Sequence, residues 1–177
     1  EIQDLLQASR GLNLGMHFLS GAVTFDPVVT ELDGLLASKI VWLDAFLTNV
    51  DRTAKNTNML IWHKELWLID HGATLFFHHS WDTWEKHAQS PFTYIKEHVL
   101  LARADQLESV DDLFKGILTN EMIHELVEKI PLEWLQWEGS GLNPDRIKAV
   151  YFQFLTIRLA HSSTFVKEAL HARATGV

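Results

Sequence analysis

Residues 49–72 read NVDRTAKNTNMLIWHKELWLIDHG, and this stretch decides the fold. Met59-Leu60-Ile61-Trp62 and Leu66-Trp67-Leu68-Ile69 are apolar runs of strand length, separated by His63-Lys64-Glu65. Two such runs at that distance predict a β-hairpin. Polar residues flank it on both sides: Asp51 and Asn56 before it, Asp70 and Gly72 after it. Two strands of similar length run out and back, so Asp70 returns close to the start of the hairpin. Asp51, Asn56 and Asp70 then converge on one spot, although 14 residues separate the last two. Gly72 leaves the backbone beside Asp70 free to turn sharply.

Upstream, Leu32, Leu35, Leu36, Ile40, Leu43, Phe46 and Leu47 repeat at three and four, which predicts an amphipathic helix ending near Thr48-Asn49. Residues 16–31 hold a short apolar stretch ended by Asp26-Pro27 and are expected to be irregular or extended. Residues 1–9 show helical spacing that Gly11 and Gly15 interrupt. Downstream, an aromatic stretch covers residues 76–84, and after Pro91 the signals are helical. Residues 94–101 are amphipathic, and residues 119–130 form a helix that Pro131 stops. Gly139-Ser140-Gly141 reads as a loop. Asn143-Pro144 is a strong helix start, an N-cap amide followed by proline, and its helix is expected to run to about Ala172. The expected fold class is mainly α with a small β-hairpin (α+β), as one unit over residues 1–177.

Composition narrows the function. The 177 residues carry 15 Lys and Arg against 23 Asp and Glu, a net charge of 15 − 23 = −8, which argues against direct nucleic-acid binding. Zero cysteines exclude disulfides, thiolate zinc sites and cysteine nucleophiles, and fit a reducing cytosol. Charges interrupt every apolar run before the ~18 residues that a membrane helix needs. A cytoplasmic location without a membrane partner is the expectation.

Asp51, Asn56 and Asp70 are two carboxylates and an amide oxygen, hard donors of the kind Mg²⁺ takes alongside waters and substrate phosphates. Phosphoryl transfer uses such a set: one Asp orients the acceptor hydroxyl, while an Asn and a second Asp hold the metal. The D-x-x-x-x-N loop, the hairpin and the apolar-Asp-x-Gly motif together resemble the kinase superfamily. The stretch VWLDAFLTNVDRTAKNTNMLIWHKELWLIDHG (residues 41–72) looks most like the bacterial HipA-like kinases, whose loop reads N-x-D-R-x-x-x-N, here residues 49–56. Phosphatidylinositol kinases are more distantly similar. The resemblance implies a protein-kinase-like C-terminal lobe, with Asp51 as catalytic base and with Asn56 and Asp70 as cofactor-binding Mg²⁺ ligands. It also implies ATP as donor and a hydroxyl acceptor, a serine or threonine of a protein.

Two local departures stand out: Arg52 follows the base instead of preceding an Asp, and His71 stands where protein kinases carry Phe after the metal Asp. Only 50 residues precede Asp51, with neither a strand-borne Lys paired to a helix Glu nor a phosphate-loop glycine pattern. The expectation is a piece of a longer kinase domain whose N-lobe is missing, weakly active or inactive by itself.

Two other classes fit some of the same residues. A non-catalytic pseudokinase or binding module would keep the motif without needing Asp51. A metal hydrolase would use His71, His78 and His79 with Asp70, although no H-E-x-x-H pair supports it. Trp42, Trp62 and Trp67 fall in apolar patterns and are expected in the core, His161 half-buried or at the surface, and the acidic run 108–112 on a solvated surface.

Overall fold

The structure, a computed structural model, describes residues 2–136 and 141–176. Among these are seven α-helices and three short strands: α1 (Ile2–Ala8), β1 (Val23–Thr24), α2 (Gly34–Leu47), β2 (Met59–Trp62), β3 (Glu65–Leu68), α3 (Trp84–Gln89), α4 (Leu107–Ile117), α5 (Asn120–Glu128), α6 (Pro144–Ala160) and α7 (Ser162–Ala174). The chain is mainly α with a small antiparallel sheet, as the apolar periodicities predict. None of the described helices is long and apolar enough to cross a membrane.

Helix α2 is the centre of the molecule. Asp33 caps it, its carboxylate accepting from Leu36 N at 3.0 Å, and the helix packs against α4, α6 and α7. Trp42 is 1% exposed and sits where these helices meet. Its ring stacks on Phe46 at 5.1 Å and takes Phe114 and Phe165 edge-on at 4.8 and 5.4 Å. The helix is buried on other sides too, since Ser38 and Asp44 are fully buried, and Asp44 points about 200° away from Trp42 around the helix. The helix ends at Thr48, a β-branched residue in the left-handed region at φ 54°. Hydrogen bonds from Phe76 N to Thr48 Oγ1 (3.0 Å) and from Leu75 N to Leu47 O (2.7 Å) hold it there.

The hairpin is present, with Met59 opposite Leu68 and Trp62 opposite Glu65. Its turn is His63-Lys64 alone, both at positive φ (49° and 68°), as a two-residue turn matched to strand twist requires. Glu65 therefore belongs to β3. The sheet also has a third strand: β1 pairs with β2, Val23 opposite Ile61, inside the stretch expected to be irregular or extended. Trp62 and Trp67 meet edge-on at 5.6 Å on this sheet and are half-buried, so only Trp42 of the three lies in the deep core.

Three further expectations need correction. Residues 94–101 do not form one helix. Two 3₁₀ turns, Thr93–Glu97 and Leu101–Arg103, flank an extended His98 (φ −68°, ψ 125°), because long-range contacts claim that residue: it bridges to Thr53, and Val99 N bonds Arg52 O at 3.1 Å. The last helix is two, α6 and α7, parted at His161 (φ −106°, ψ 21°), which lets α6 lie on α3 and α5 while α7 turns onto α2 and α4. His161 itself is exposed. The run 108–112 is only partly solvated, since Asp111 is 6% exposed and accepts from Trp42 Nε1 at 2.9 Å. Of the expected loop at Gly139-Ser140-Gly141, the first two residues lie outside the described ones.

Asp111→Ala strands the indole N–H of Trp42 in the core and is expected to lower stability by about 1–3 kcal/mol. Asp112→Ala, at an exposed position on the same helix, is expected to stay within about 0.5 kcal/mol of the parent. Urea unfolding of the two variants checks the contrast.

Candidate active site

The loop between α2 and β2 is held from below. Asn49 donates through Nδ2 to Asp44 Oδ1 (2.9 Å), and its own Oδ1 accepts from Asp51 N (3.2 Å). Arg52, 1% exposed, donates through Nε to Asp44 Oδ2 at 2.5 Å and through Nη1 to the carbonyl of Asn58 at 2.5 Å. These contacts pin the loop at both ends and leave Asp51 between them. Asp51 Oδ2 accepts from Asn56 Nδ2 at 2.8 Å and from Asn58 Nδ2 at 3.1 Å. Sequence reading joined Asp51 to Asn56, and the structure brings the two into direct contact.

Asp70 reaches the same neighbourhood through the hairpin. Ile69 N bonds Asn58 O at 3.0 Å, and His71 Nε2 lies 3.3 Å from Arg52 Nη2, so both chain neighbours of Asp70 are tied to the loop residues 52 and 58. No direct side-chain contact joins Asp70 to Asp51 or Asn56 among the described residues. The sharp turn expected at Gly72 is made by Asp70 itself, at φ 49°. Gly72 has a different use: its N–H donates to Asp70 Oδ1 at 3.3 Å, and a Cβ there would stand 3.3 Å from that oxygen.

Beside the loop opens a cavity of about 790 Å³, lined by Phe25, Asp26, Lys55, Asn56, Asn58 and Ile69 among others. That volume is within the ~300–1,000 Å³ usual for ligand pockets. Asn56 is exposed and spends only its amide nitrogen on Asp51, which keeps Oδ1 for a cation. Asp70 is exposed and keeps Oδ2. These oxygens fit Mg²⁺, which needs only one or two protein ligands besides waters and phosphates. The histidines are engaged elsewhere: His71 with Arg52, His78 stacked on Tyr151 at 5.5 Å, His79 against Phe76 at 5.0 Å. No group of three or more His, Asp or Glu that could hold a metal ion occurs among the described residues. A histidine-rich hydrolase centre is therefore unsupported.

A family model described as HipA-like kinase matches residues 5–162, the span that holds the sheet, the loop and all but the last helix. The chain belongs to the HipA-like kinase family. No curated protein and no solved structure matches it. Kinase-type phosphoryl transfer is the chemistry that this family indicates.

Three residues of this HipA-like kinase that shape the loop do not stand out in the sequence, Asp44, Asn58 and His98, while Asn49 stands in the quoted motif without a role assigned to it. Asn58 carried a signal, an amide two positions after Asn56. Asp44 carried a weaker one, a lone carboxylate between Trp42 and Phe46. His98 carried none, being 54 residues from its partner. Its Nδ1 accepts from Leu100 N at 3.0 Å, so Nε2 bears the hydrogen and donates to Asp44 Oδ2 at 3.0 Å. Burial alone raises the Asp44 carboxyl, but the hydrogen bonds from His98 and Arg52 and the charge of Arg52 outweigh it and hold it below the ordinary value.

A depressed carboxyl pKa stabilises the fold above its unfolded value and ceases to do so as pH falls through the folded one. Asp44→Asn leaves Arg52 buried without its carboxylate and is expected to cost about 3–5 kcal/mol at pH 7. The difference from the parent is expected to narrow below about pH 4. Urea midpoints across pH 3 to 7 measure it, and a pH-independent difference excludes Asp44 as the ionised hub.

Proposed function

We propose that the protein is an ATP- and Mg²⁺-dependent phosphotransferase that moves the γ-phosphoryl group to a hydroxyl, a serine or threonine of a protein substrate. The observation that carries this reading is the Asp51 carboxylate, half-buried at the loop and fixed by two amides on one oxygen. Both amides use Oδ2, which leaves Oδ1 to accept the hydroxyl proton at ordinary hydrogen-bond reach. Holding that oxygen in one orientation turns an encounter of two groups into a positioned step. Asn56 Oδ1 and Asp70 would hold Mg²⁺, which supplies charge neutralisation across the nucleotide phosphates when bound. Asn58 would keep Asp51 oriented while Asn56 serves the metal. The choice of a protein acceptor rests on family analogy.

We also read the chain as the catalytic-loop side of a two-lobed domain. Val28 is 87% exposed and borders the cleft beside Asn56. An apolar side chain left open at that edge is of the kind a covering nucleotide lobe would bury.

In the full-length protein, Asp51→Ala is expected to lower kcat by ~10²–10⁴-fold while leaving the KM for ATP nearly unchanged. Asp70→Asn is expected to raise the Mg²⁺ concentration needed for half-maximal rate. Radiolabelled phosphate transfer, with melting curves on the same samples, measures both. A folded Asp51→Ala protein with parental turnover overturns Asp51 as the base, and a folded parent that binds ATP without transferring phosphate leaves a nucleotide-binding module in place of the enzyme.

A further inference from the structure

A second cavity, of about 290 Å³, shares no lining residue with the cleft beside Asn56. Its walls include Phe76, Phe77, Phe92, Tyr94 and Thr48, and Arg158 contributes to its lining. Four aromatic rings in one small cavity present flat apolar faces and edges. Phe76 and Phe92 stand 5.6 and 6.1 Å from Tyr94, ring centre to ring centre. Tyr94 is 51% exposed and Phe92 6%, which places Tyr94 at the mouth and Phe92 inside.

Arg158 is the unusual member. It is 1% exposed and lies over the Phe165 ring at 4.8 Å. No ion pair joins it to a carboxylate among the described residues. Its hydrogens go to backbone carbonyls instead: Nε and Nη2 to Ala45 O (3.0 and 2.6 Å), Nη1 to His87 O, Ala88 O and Ser90 O (3.2 to 3.4 Å). Most of these carbonyls belong to the last turns of α2 and α3, so the negative ends of two helices offset part of the charge. Part is left, because burying an ion without a counter-ion is costly even where its hydrogens are bonded. One hydrogen is left as well. Nη2 carries two and has a single acceptor, Ala45 O. Burial pulls the guanidinium down to about 9, so it remains a cation at neutral pH.

We propose that this cavity is a second ligand site, for a small planar aromatic carboxylate. The carboxylate is drawn to the Arg158 guanidinium where it lines the cavity, and the ring lies among Phe76, Phe77, Phe92 and Tyr94. A charge-assisted bond to a buried guanidinium is among the stronger polar contacts available. The volume, at the low end of the ~300–1,000 Å³ range of ligand pockets, selects fragment-sized molecules. Thr48 joins the cavity to the active site. It lines the wall, its Oγ1 accepts from Phe76 N, and the next residue, Asn49, holds Asp51 N. A ligand there presses on the turn that feeds the catalytic loop. This site stands apart from the phosphotransferase reading and is tested without it.

The probe is trans-cinnamate, titrated calorimetrically into the protein at neutral pH, with cinnamamide as the neutral isostere and hexanoate as the non-aromatic acid. Cinnamate is expected to bind saturably, with both comparators at least tenfold weaker. Arg158 variants are poor tests, because the side chain also holds α2 and α3 together. Charge is therefore tested through the ligand, and place through Tyr94→Ala at the exposed mouth, expected to weaken cinnamate at least tenfold with melting unchanged. The assignment is overturned if cinnamate shows no saturable binding up to ~10 mM, if cinnamamide binds equally well, or if a folded Tyr94→Ala protein binds as the parent does. Strict competition with MgATP also overturns it, by placing the ligand in the other cleft.

Discussion

The structure turns on one buried carboxylate. Asp44 is fully removed from water, and its two oxygens accept from three segments: Asn49 at the helix exit, Arg52 in the loop and His98 beyond the hairpin. Desolvating a carboxylate and a guanidinium costs several kcal/mol per ion, recovered only when geometry and remaining hydrogen bonds are all satisfied. A loop that has lost one of these partners is therefore worse than either extreme, and the site forms as a unit with the fold. Arg52 carries the constraint onward. Its second nitrogen grips the Asn58 carbonyl, and the Asn58 amide reaches Asp51. The orientation of the half-buried Asp51 carboxylate is thus set by a buried one seven residues upstream.

That constraint supports backbone that would not otherwise persist. Six non-glycine residues among those described have positive φ, and four of them, Thr48, Asn58, Asp70 and Leu75, lie where residues 47–58 meet residues 69–76. Such conformations cost on the order of 1–3 kcal/mol each and survive only where surroundings over-determine them. Asn58 and Asp70 tolerate the left-handed region, but a β-branched Thr and a Leu do so poorly. Hydrogen bonds from Leu75 N to Leu47 O and from Phe76 N to Thr48 Oγ1 offset part of that cost. The strain collects around the candidate metal residue and the loop, not in the helices.

Legibility in the amino-acid order tracks the range of the forces involved. The hairpin announces itself through its two apolar runs, and the spacing of residues 32–47 predicts a helix but not its setting: α2 is buried on most sides instead of along one stripe, with Leu36 of the expected stripe exposed and Trp42 and Asp44 buried. The contact of Asp51 with Asn56 follows from their spacing in one loop. Asp44 resembles any polar residue on a helix, because burial is a property of what packs over it. His98 sits in a segment with helical apolar spacing, and a bridge to Thr53 and a bond to Asp44 override that preference. No glycine or proline marks the break at His161, so the separate packing of α6 and α7 was invisible. Asp111 looked solvated because its partner, the Trp42 indole, lies 69 residues away.

Two arginines grip the last turn of α2 and so govern the path of the loop beyond it. Arg52 answers the Asp44 side chain, while Arg158 answers the carbonyl of Ala45, the very next residue. One guanidinium draws the loop inward and neutralises its charge against a carboxylate of the helix. The other arrives from α6, fastens the helix end to α3 through His87 and Ala88, and meets backbone dipoles and the Phe165 ring instead of a carboxylate. Thr48 leaves the helix just beyond these two anchors with a left-handed backbone, and the next residue, Asn49, accepts from the Asp51 amide. The helix end is thus gripped from both sides, by a loop guanidinium on its carboxylate and by one from α6 on its backbone, directly before the turn that leads into the Asp51 loop.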